Sequence, residues 1–250
     1  MSHLNLQIFF TEHSKIAIAF SGGTDSAYLL YMAKKYAKDV MAFYVSTAFQ
    51  PDFEKKDAIR FCQEYDIPLT ILKYDIFQHS SITQNPANRC YHCKTALFTQ
   101  IISAAKAAGY KDLADGTNAS DDADDRPGMR ALKELHVFSP LRICGITKEM
   151  LRKDSEKLGL FTAQKPAYAC LATRIPTGTA ITQENLQKIE LAEQKLAHLG
   201  FSDFRVRCLP DAAKLQLKEC QCPLALEKRK EILESLQPVF KNVYLDLISR

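Results

Sequence analysis

The N-terminal part of the chain alternates short apolar segments with longer segments whose apolar positions follow a helical period. The short segments predict strands in "KIAIAF" (15–20), "VMAFYVS" (40–46) and "LTILKY" (69–74), and a strand end in "DLADGTN" (112–118). Between them the spacing predicts helices over 25–37, 51–65 and 91–108. Strands that alternate with helices form βαβ units, so we expect an α/β fold with a parallel sheet covered on both faces.

The C-terminal part has a different order of elements. Thr182 can cap a helix that ends before Gly200, and two short strands follow near 204–208 and 214–217. A helix over 224–236 and the strand "NVYLDL" complete the chain. This α-β-β-α-β order predicts a smaller α+β domain. Pro and Gly interrupt the pattern between Ile175 and Gly178, so we predict two domains, over 1–175 and 176–250.

Composition narrows the class of protein. Apolar residues make up 46% and charged residues 25% of the chain, as in ordinary globular proteins. The net charge is +4 without a basic block, which argues against a nucleic-acid partner. The first residues, "MSHLNLQIFF", contain too short an apolar run for a signal peptide, and no run is long enough to span a membrane. We therefore expect a cytoplasmic protein without a membrane partner, whose eight cysteines are thiols, ligands or core residues.

The stretch "SGGTDS", which begins at Ser21, connects the first predicted strand to the first predicted helix. Gly22 and Gly23 permit a tight turn, and the N–H groups at the start of the helix favour a negatively charged ligand. Ser21 and Ser26 can donate hydroxyl hydrogen bonds to phosphate oxygens. The Asp25 carboxylate would repel a bare phosphate, which suggests that a cation such as Mg²⁺ bridges the carboxylate and the phosphate. A plain strand-to-helix connection is the alternative interpretation.

This turn resembles the PP-loop signature of ATP pyrophosphatases, which cleave ATP between the α and β phosphates and adenylate a substrate. The resemblance implies a HUP-type fold, ATP and Mg²⁺ as cofactors, and AMP and pyrophosphate as products. In that fold the nucleotide lies at the carboxyl ends of the strands. Ser46 and the residues Asp115, Gly116 and Thr117 are therefore expected to contact ATP.

The cysteines suggest a second kind of chemistry. Cys90 and Cys93 form a C-x-x-C motif in "NRCYHCKTALF", where a helix is about to begin, and a helix N-terminus favours the thiolate form that binds metals. Cys170 lies in "KPAYACLATRIPTG", whose Pro, Gly, Thr and Arg are typical of a loop in a site. Three thiolates on an iron–sulfur cluster would leave one iron open to an external ligand such as hydrosulfide. Three thiolates on zinc, with a fourth ligand, are the alternative. The remaining cysteines are predicted to be packing or surface thiols: Cys62, Cys144, Cys208, Cys220 and Cys222.

Four motifs together resemble the LarE family in their order and spacing: "SGGTDS", "NRCYHCKTALF", "DGTNASDDADDRPGMRAL" and "KPAYACLATRIPTG". That family supplies sulfur to the nickel-pincer nucleotide of lactate racemase. A carboxylate of a pyridinium biscarboxylate mononucleotide is adenylated, and sulfur then displaces AMP. One branch consumes the sulfur of its own single cysteine, and the other has three cysteines that hold a [4Fe-4S] cluster with a transferable sulfide. Cys90, Cys93 and Cys170 match the three-cysteine branch, which implies a cluster-dependent enzyme that uses a sulfide source.

The anionic nucleotide that the resemblance implies would be bound by guanidinium groups. Arg205 and Arg207 lie two apart on a predicted strand, so both side chains face the same way. Glu193, on the preceding helix, is a candidate to relay a proton, with a solvated glutamate as the alternative; with Asp25 and Cys170 it forms the predicted catalytic set. By resemblance the substrate-binding residues are Thr173, Arg174, Arg205 and Arg207, with plain surface charge as the alternative for the last two. Arg126 is a further candidate to bind an anionic group, and pairing with its acidic neighbours is the alternative there.

The resemblance therefore predicts an ATP pyrophosphatase-type sulfur transferase that acts on a small nucleotide, and it leaves homo-oligomerisation open. A tRNA thiolase would also use a PP-loop and cysteines, but it should carry a basic surface, which the charge does not indicate. An ammonia-dependent synthetase of the NAD or GMP type would need no cysteines. The non-enzymatic alternative is a nucleotide-binding module with structural zinc.

Overall fold

The computed structural model describes residues 2–121 and 127–249. The chain divides into two compact units, one comprising 1–76 and 88–165 and the other comprising 77–87 and 166–250. The predicted domain boundary at 175/176 lies ten residues C-terminal to the last observed boundary, at 165/166. The prediction also assigned residues 77–87 to the first domain, whereas they belong to the second unit.

The helices and strands follow one another in the predicted alternation. The described helices are α1 (Ser2–Glu12), α2 (Thr24–Tyr36), α3 (Asp52–Glu64), α4 (Ser80–Thr83), α5 (Arg89–Ala107), α6 (Pro127–Glu134), α7 (Pro140–Ile143), α8 (Lys148–Lys157), α9 (Gln183–His198), α10 (Cys222–Glu227) and α11 (Arg229–Leu236). The described strands are β1 (Lys15–Ala19), β2 (Asp39–Ser46), β3 (Leu69–Lys73), β4 (Asp112–Ala114), β5 (Arg205–Leu209), β6 (Ala212–Gln216) and β7 (Asn242–Leu245). The sequence pattern did not predict α1, α4 or α6–α8. None of the described helices combines the length and apolar character needed to cross a membrane.

The first unit contains a parallel sheet, as predicted. Within the described residues its strand order is β3-β2-β1-β4. Ala17 of β1 pairs with Met41 of β2 on one side and with Leu113 of β4 on the other. After β1 the chain continues to β2 and β3 on one side of β1, whereas β4 pairs with β1 on its other side. The carboxyl ends of β1 and β4 therefore border the crevice at which open α/β sheets bind ligands.

Both faces of this sheet are covered, which is what parallel sheets require. Ile16 and Ile18 of β1 are buried in one apolar cluster with residues of α1, α2, α3 and α8. Ala17, between them, belongs to the cluster on the opposite face, with Phe43 of β2 and Ile101 of α5. The alternation follows from the period of two in a strand, and it explains why β1 is apolar from Ile16 to Ala19.

The second unit contains the predicted α+β arrangement. β5 and β6 pair antiparallel, and β6 and β7 pair parallel. α9 buries an apolar stripe that includes Leu186, Ile189 and Leu196. The helix predicted over 224–236 is instead two helices, because the backbone at Lys228 (φ −89°, ψ 17°) leaves the helical region.

Residues 77–87 belong to the second unit through hydrogen bonds to a distant segment. The Asn85 side chain donates to the carbonyl oxygen of Pro176 at 2.8 Å, and the Asn85 carbonyl accepts from the N–H of Gly178 at 2.8 Å. The N–H of Ile181 also donates to the carbonyl oxygen of Thr83 at 2.7 Å. Local periodicity does not report such long-range bonds, so this assignment could not be predicted from the sequence pattern.

Replacing Thr182 by Ala should lower the free energy of unfolding by about 1 kcal/mol, because the Thr182 side chain accepts a hydrogen bond from the N–H of Asn185 at 3.1 Å and caps α9. Urea denaturation followed by circular dichroism measures the loss. The control is Gln183→Ala, which changes an exposed neighbour without a capping role and should stay within about 0.5 kcal/mol. Equal midpoints for both variants would contradict the assignment of the cap.

Candidate active site

Serine side chains and glycines build the SGGTDS turn between β1 and α2. Ser21 Oγ lies 3.0 Å from Ser26 Oγ and accepts from the N–H of Gly23 at 3.3 Å. Gly22 has φ +73°, and a Cβ atom there would lie 2.8 Å from the carbonyl oxygen of Glu54, so glycine is required. Among the described side chains, none caps α2. The N–H groups of its first turn are therefore positioned for an anion.

The end of β4 lies against this turn. A Cβ atom on Gly116 would lie 2.8 Å from the backbone nitrogen of Ser26, so a side chain at Gly116 would push the two segments apart. Asp115 is buried and accepts hydrogen bonds from Thr117 Oγ1 at 2.5 Å and Ser139 Oγ at 2.7 Å. These bonds fix the backbone that follows β4 beside the start of α2.

A cavity of about 530 Å³ opens at the carboxyl ends of β1 and β4. This volume is within the usual range for small-molecule sites. Its described lining consists of Ala19, Ser21, Asp25, Ser26, Cys90, Lys94, Phe98, Asp115, Gly116, Thr117, Asp121, Pro127, Gly128 and Met129. The lining combines hydroxyl groups, carboxylates, a lysine, a thiol and apolar side chains.

Asp25 of the turn forms an ion pair with Lys148, the first residue of α8. The two side chains are 30% and 32% exposed, so the pair lies at the edge of solvent. The ammonium group compensates the negative charge that Asp25 would otherwise present to a phosphate. The position of Lys148 is set by Thr147, which caps α8 by accepting from the N–H of Met150 at 3.3 Å.

Two carboxylates beside the turn fit a magnesium ion that is shared with phosphate. Mg²⁺ is usually held by one or two carboxylates together with substrate phosphates. Asp25 and Asp121 both line the cavity, and Asn118 links them. The side-chain nitrogen of Asn118 lies 3.4 Å from Asp25 Oδ2, and the backbone N–H of Asn118 donates to Asp121 Oδ2 at 3.0 Å. Within the described ranges, no group of three His, Cys, Asp or Glu side chains is arranged to hold a metal by itself.

One face of α5 lines the same cavity. Cys90, Lys94 and Phe98 follow one another at four-residue intervals, which places them on one side of the helix. Cys90 is exposed, and its sulfur accepts a hydrogen bond from the guanidinium group of Arg89 at 3.7 Å. Cys93, one turn later, is half-buried. The first turn of α5 thus presents a thiol to the cavity beside a cationic donor.

In the second unit, a buried ion pair adjoins Cys170. The Arg174 side chain is 0% exposed, and its Nε and NH2 atoms donate to the two oxygens of Glu193 at 2.9 and 3.1 Å. Tyr168 donates its hydroxyl to Glu193. Burial, followed by the charge of Glu193, raises the pKa of Tyr168, so this hydroxyl remains protonated and acts as a donor.

The other two arginines that were predicted as site residues in the second unit, Arg205 and Arg207, donate to nearby backbone carbonyl oxygens. Arg205 NH2 donates to the carbonyl oxygen of Ala167 at 2.7 Å. Arg207 donates through NH1 to the carbonyl oxygen of Thr173 and through Nε to Gln216 at 2.6 Å. Both arginines therefore contact the segment that carries Cys170, or its direct continuation.

The structure divides the predicted site residues that it describes between the two units. Those that line the cavity of the first unit are Ser21, Asp25, Ser26, Cys90, Asp115, Gly116 and Thr117. Gly22 and Gly23 shape the turn, and Cys93 follows Cys90 on α5. Those that belong to the second unit are Cys170, Thr173, Arg174, Glu193, Arg205 and Arg207. Arg126 lies outside the described residues.

Ser46 is not among the described residues that line the cavity. It ends β2, where it pairs with Lys73 of β3. The crevice lies between β1 and β4, whereas β2 is on the other side of β1. A contact between Ser46 and the nucleotide stays a prediction.

Sequence reasoning missed Lys94 and Lys148. Lys94 could have been found from its four-residue spacing to Cys90, which places both on one helix face. A Cβ on Gly128 would lie 2.9 Å from Lys94 Cδ, so the glycine leaves room for the lysine stem. Lys148 follows Thr147 in "GITKEM", a typical helix start. Its pairing with Asp25 spans the first unit and has no local signal.

A protein-family model described as a PP-loop domain matches residues 2–121. The chain is 38% identical over 218 residues to the uncharacterized protein slr1717 of Synechocystis, covering 85% of this chain and 80% of the relative. It is 29% identical over 236 residues to pyridinium-3,5-bisthiocarboxylic acid mononucleotide synthase of Lactiplantibacillus plantarum, covering 93% of this chain and 86% of that enzyme. It is also 26% identical to the tRNA-specific 2-thiouridylase MnmA of Thermotoga, over 60% of this chain and 54% of that enzyme.

Replacing Lys148 by Met should weaken ATP binding by about tenfold to a hundredfold, because Asp25 would then face the phosphates without its cationic partner. Isothermal titration calorimetry with ATP and Mg²⁺ measures the effect. The free energy of unfolding should change by less than about 1 kcal/mol, since the ion pair is partly exposed.

The matched control is Lys153→Met, which removes an exposed lysine from the same helix. This variant should bind ATP like the parent protein. If the two variants bind ATP equally well, Lys148 has no role in nucleotide binding.

Proposed function

The chain belongs to the LarE family of PP-loop proteins, and on that premise we propose that it transfers sulfur, in an ATP-dependent reaction, to a carboxylate of a pyridinium biscarboxylate mononucleotide. The observation that carries the proposal is the cavity in which the SGGTDS turn, the Asp25 carboxylate and the Cys90 thiol meet. Similarity to a bisthiocarboxylic acid mononucleotide synthase over 93% of the chain supports the substrate class. The thiouridylase similarity extends over a smaller share of the chain.

The first half-reaction adenylates the substrate. A carboxylate oxygen attacks the α-phosphorus of ATP, the bond from that phosphorus to the bridging oxygen breaks, and pyrophosphate leaves. The N–H groups at the start of α2 and the hydroxyls of Ser21 and Ser26 bind the leaving phosphates. Lys148 balances the charge of Asp25 beside them. Mg²⁺, when held by Asp25 and Asp121, supplies positive charge to the phosphate oxygens.

The second half-reaction replaces AMP with sulfur. A sulfur nucleophile attacks the acyl carbon of the adenylate, the bond from that carbon to the AMP oxygen breaks, and AMP leaves with this oxygen. The product is a thiocarboxylate, and an external sulfide source restores the sulfur for the next turnover. The position of Cys90 in the cavity of the first unit supports a sulfur donor close to the adenylated carboxylate.

We assign Cys90, Cys93 and Cys170 as the ligands of a [4Fe-4S] cluster. The cluster, when bound, supplies an iron with an open coordination position for a transferable sulfide. The exposed Cys90 thiol, its neighbour Cys93 one turn later and the Arg89 donor support the first two ligands. The assignment of Cys170 rests on the motif resemblance alone. Zinc at these thiols, and direct donation of sulfur by Cys170, are the competing possibilities.

Anionic groups of the substrate are assigned to Thr173, Arg207 and Arg126, because guanidinium groups bind phosphate and carboxylate in a bidentate manner and Thr173 and Arg207 belong to the same unit as Cys170. Arg205, which was also predicted to bind substrate, is buried and donates to backbone carbonyl oxygens of its own unit. We place the reaction in the cytoplasm. Any self-association of the enzyme is assigned to residues 176–250.

Incubation with ATP, Mg²⁺ and pyridinium biscarboxylate mononucleotide should release AMP and pyrophosphate only when the nucleotide is present. Asp25→Asn should lower the rate about a hundredfold, because it removes a carboxylate that would hold Mg²⁺ at the phosphates. Asp211→Asn, which alters an exposed aspartate of the second unit, should leave the rate unchanged. Release of AMP with tRNA or ammonia, and none with the nucleotide, would overturn the proposed function.

Protein purified without oxygen should be brown and contain about four irons per chain. Cys90→Ala should lose both the colour and the iron, because a cluster with three thiolate ligands cannot spare one. The control is Cys220→Ser, an exposed cysteine outside the assigned set, which should retain them. Absorption spectra with iron, sulfide and zinc analysis provide the measurement, and a colourless chain that holds zinc would contradict the cluster.

A further inference from the structure

The segment that carries Cys170 has no helix or strand to satisfy its backbone. Residues 165–170 adopt neither, and a short 3₁₀ helix, Leu171–Arg174, follows. The carbonyl groups of such a segment are satisfied by water or by side-chain donors. Here the donors are guanidinium groups, since Arg205 donates to Ala167 and Arg207 to Thr173.

Arg174 makes the bonds nearest to Cys170. Its NH1 atom donates to the carbonyl oxygen of Ala169 at 2.6 Å and lies 3.3 Å from the carbonyl oxygen of Cys170 itself. The same atom contacts the hydroxyl of Thr173 at 2.9 Å. The guanidinium group therefore holds both sides of the Cys170 residue, with nitrogen atoms that are completely buried.

Glu193 in turn fixes the guanidinium group. Its Oε1 atom accepts from Arg174 and from the N–H of Val206 at 3.0 Å, and its Oε2 atom accepts from Arg174 and Tyr168. The Tyr168 ring lies under the guanidinium group, 4.5 Å from its central carbon. Glu193 is a residue of α9, and Val206 is a residue of β5. The carboxylate of Glu193 therefore connects the Cys170 segment to both elements.

This geometry differs from that of a substrate-binding arginine and a proton relay. A substrate anion needs exposed donor atoms, whereas Arg174 is 0% exposed. A proton relay needs a carboxylate oxygen that can reach a reacting group, whereas both oxygens of Glu193 already accept hydrogen bonds from Arg174, Val206 and Tyr168, and its side chain is buried.

We propose that Arg174 and Glu193 are positioning residues, which hold the backbone at Cys170 so that its thiol keeps one orientation for sulfur transfer. The sulfur-transfer part of this inference rests on the proposed function. The structural part, that the pair controls the mobility and exposure of Cys170, does not. The inference replaces the predicted roles of Arg174 in binding substrate and of Glu193 in relaying a proton.

The first test measures the reactivity of Cys170 without any substrate. The metal-free, full-length chain is treated with iodoacetamide, and peptide mass spectrometry follows alkylation of Cys170, with the exposed Cys220 as internal reference. Arg174→Lys keeps the charge but loses the planar fork, so Cys170 should react about fivefold faster or more relative to Cys220, because its segment opens more often. An unchanged ratio in the folded variant would overturn the inference.

Tyr168→Phe is a second, milder variant, needed because disruption of a buried ion pair in Arg174→Lys can prevent folding. This variant keeps the ion pair and the ring but removes one hydrogen bond to Glu193. It should increase the relative reactivity of Cys170 by about twofold to threefold. Its failure to do so would also count against the inference.

The second test separates the three roles in the active enzyme. Glu193→Gln should lower kcat for thiocarboxylate formation about tenfold, with the KM for the nucleotide and the shape of the pH profile unchanged. Loss of one limb of the pH profile would assign a proton relay to Glu193, and a raised KM alone in Arg174→Lys would assign substrate binding to Arg174. Either result would overturn the inference, whereas a failure of the proposed function would abolish turnover in every variant and leave the alkylation test intact.

Discussion

Irregular backbone has to find hydrogen-bond donors and acceptors outside helices and sheets, and both candidate functional regions of this protein are built around that requirement. The SGGTDS turn meets it with its own serine side chains, which bond within the turn and leave the N–H groups at the start of α2 for a ligand. The Cys170 segment meets it with arginines that donate to its carbonyl groups. At the SGGTDS turn, the N–H groups without an acceptor in the described part of the chain form the site. In the Cys170 segment, the carbonyl groups that accept from arginines hold the segment in place.

The ion pairs of the two candidate functional regions differ in the same way. The Asp25–Lys148 pair is about one third exposed, so water or a ligand can replace either partner at small cost. The Arg174–Glu193 pair is buried, and separating it would leave an uncompensated charge in the interior. The first pair can therefore rearrange when a nucleotide binds, whereas the second behaves as part of the framework.

The sequence was sufficient for the features that depend on neighbouring residues. The apolar segment before Ser21 and the Thr182 cap predicted β1 and the start of α9, because strand period and capping are local. Long-range bonds were not accessible in this way. The pairing of Lys148 with Asp25 and the burial of Arg174 depend on segments that are far apart in sequence, and an arginine beside an anion-binding motif is indistinguishable in sequence from one that bonds to backbone.

The discontinuous second unit has a consequence for how the chain is synthesised. Residues 77–87 leave the ribosome long before 175–181, to which Thr83 and Asn85 bond. These bonds cannot form while β4 and the helices that follow it are made, and the loop that closes between Asn85 and Pro176 adds an entropic cost and high contact order. The first unit can fold during translation before residues 77–87 form these bonds. The second unit, which carries Cys170, is therefore the last to fold.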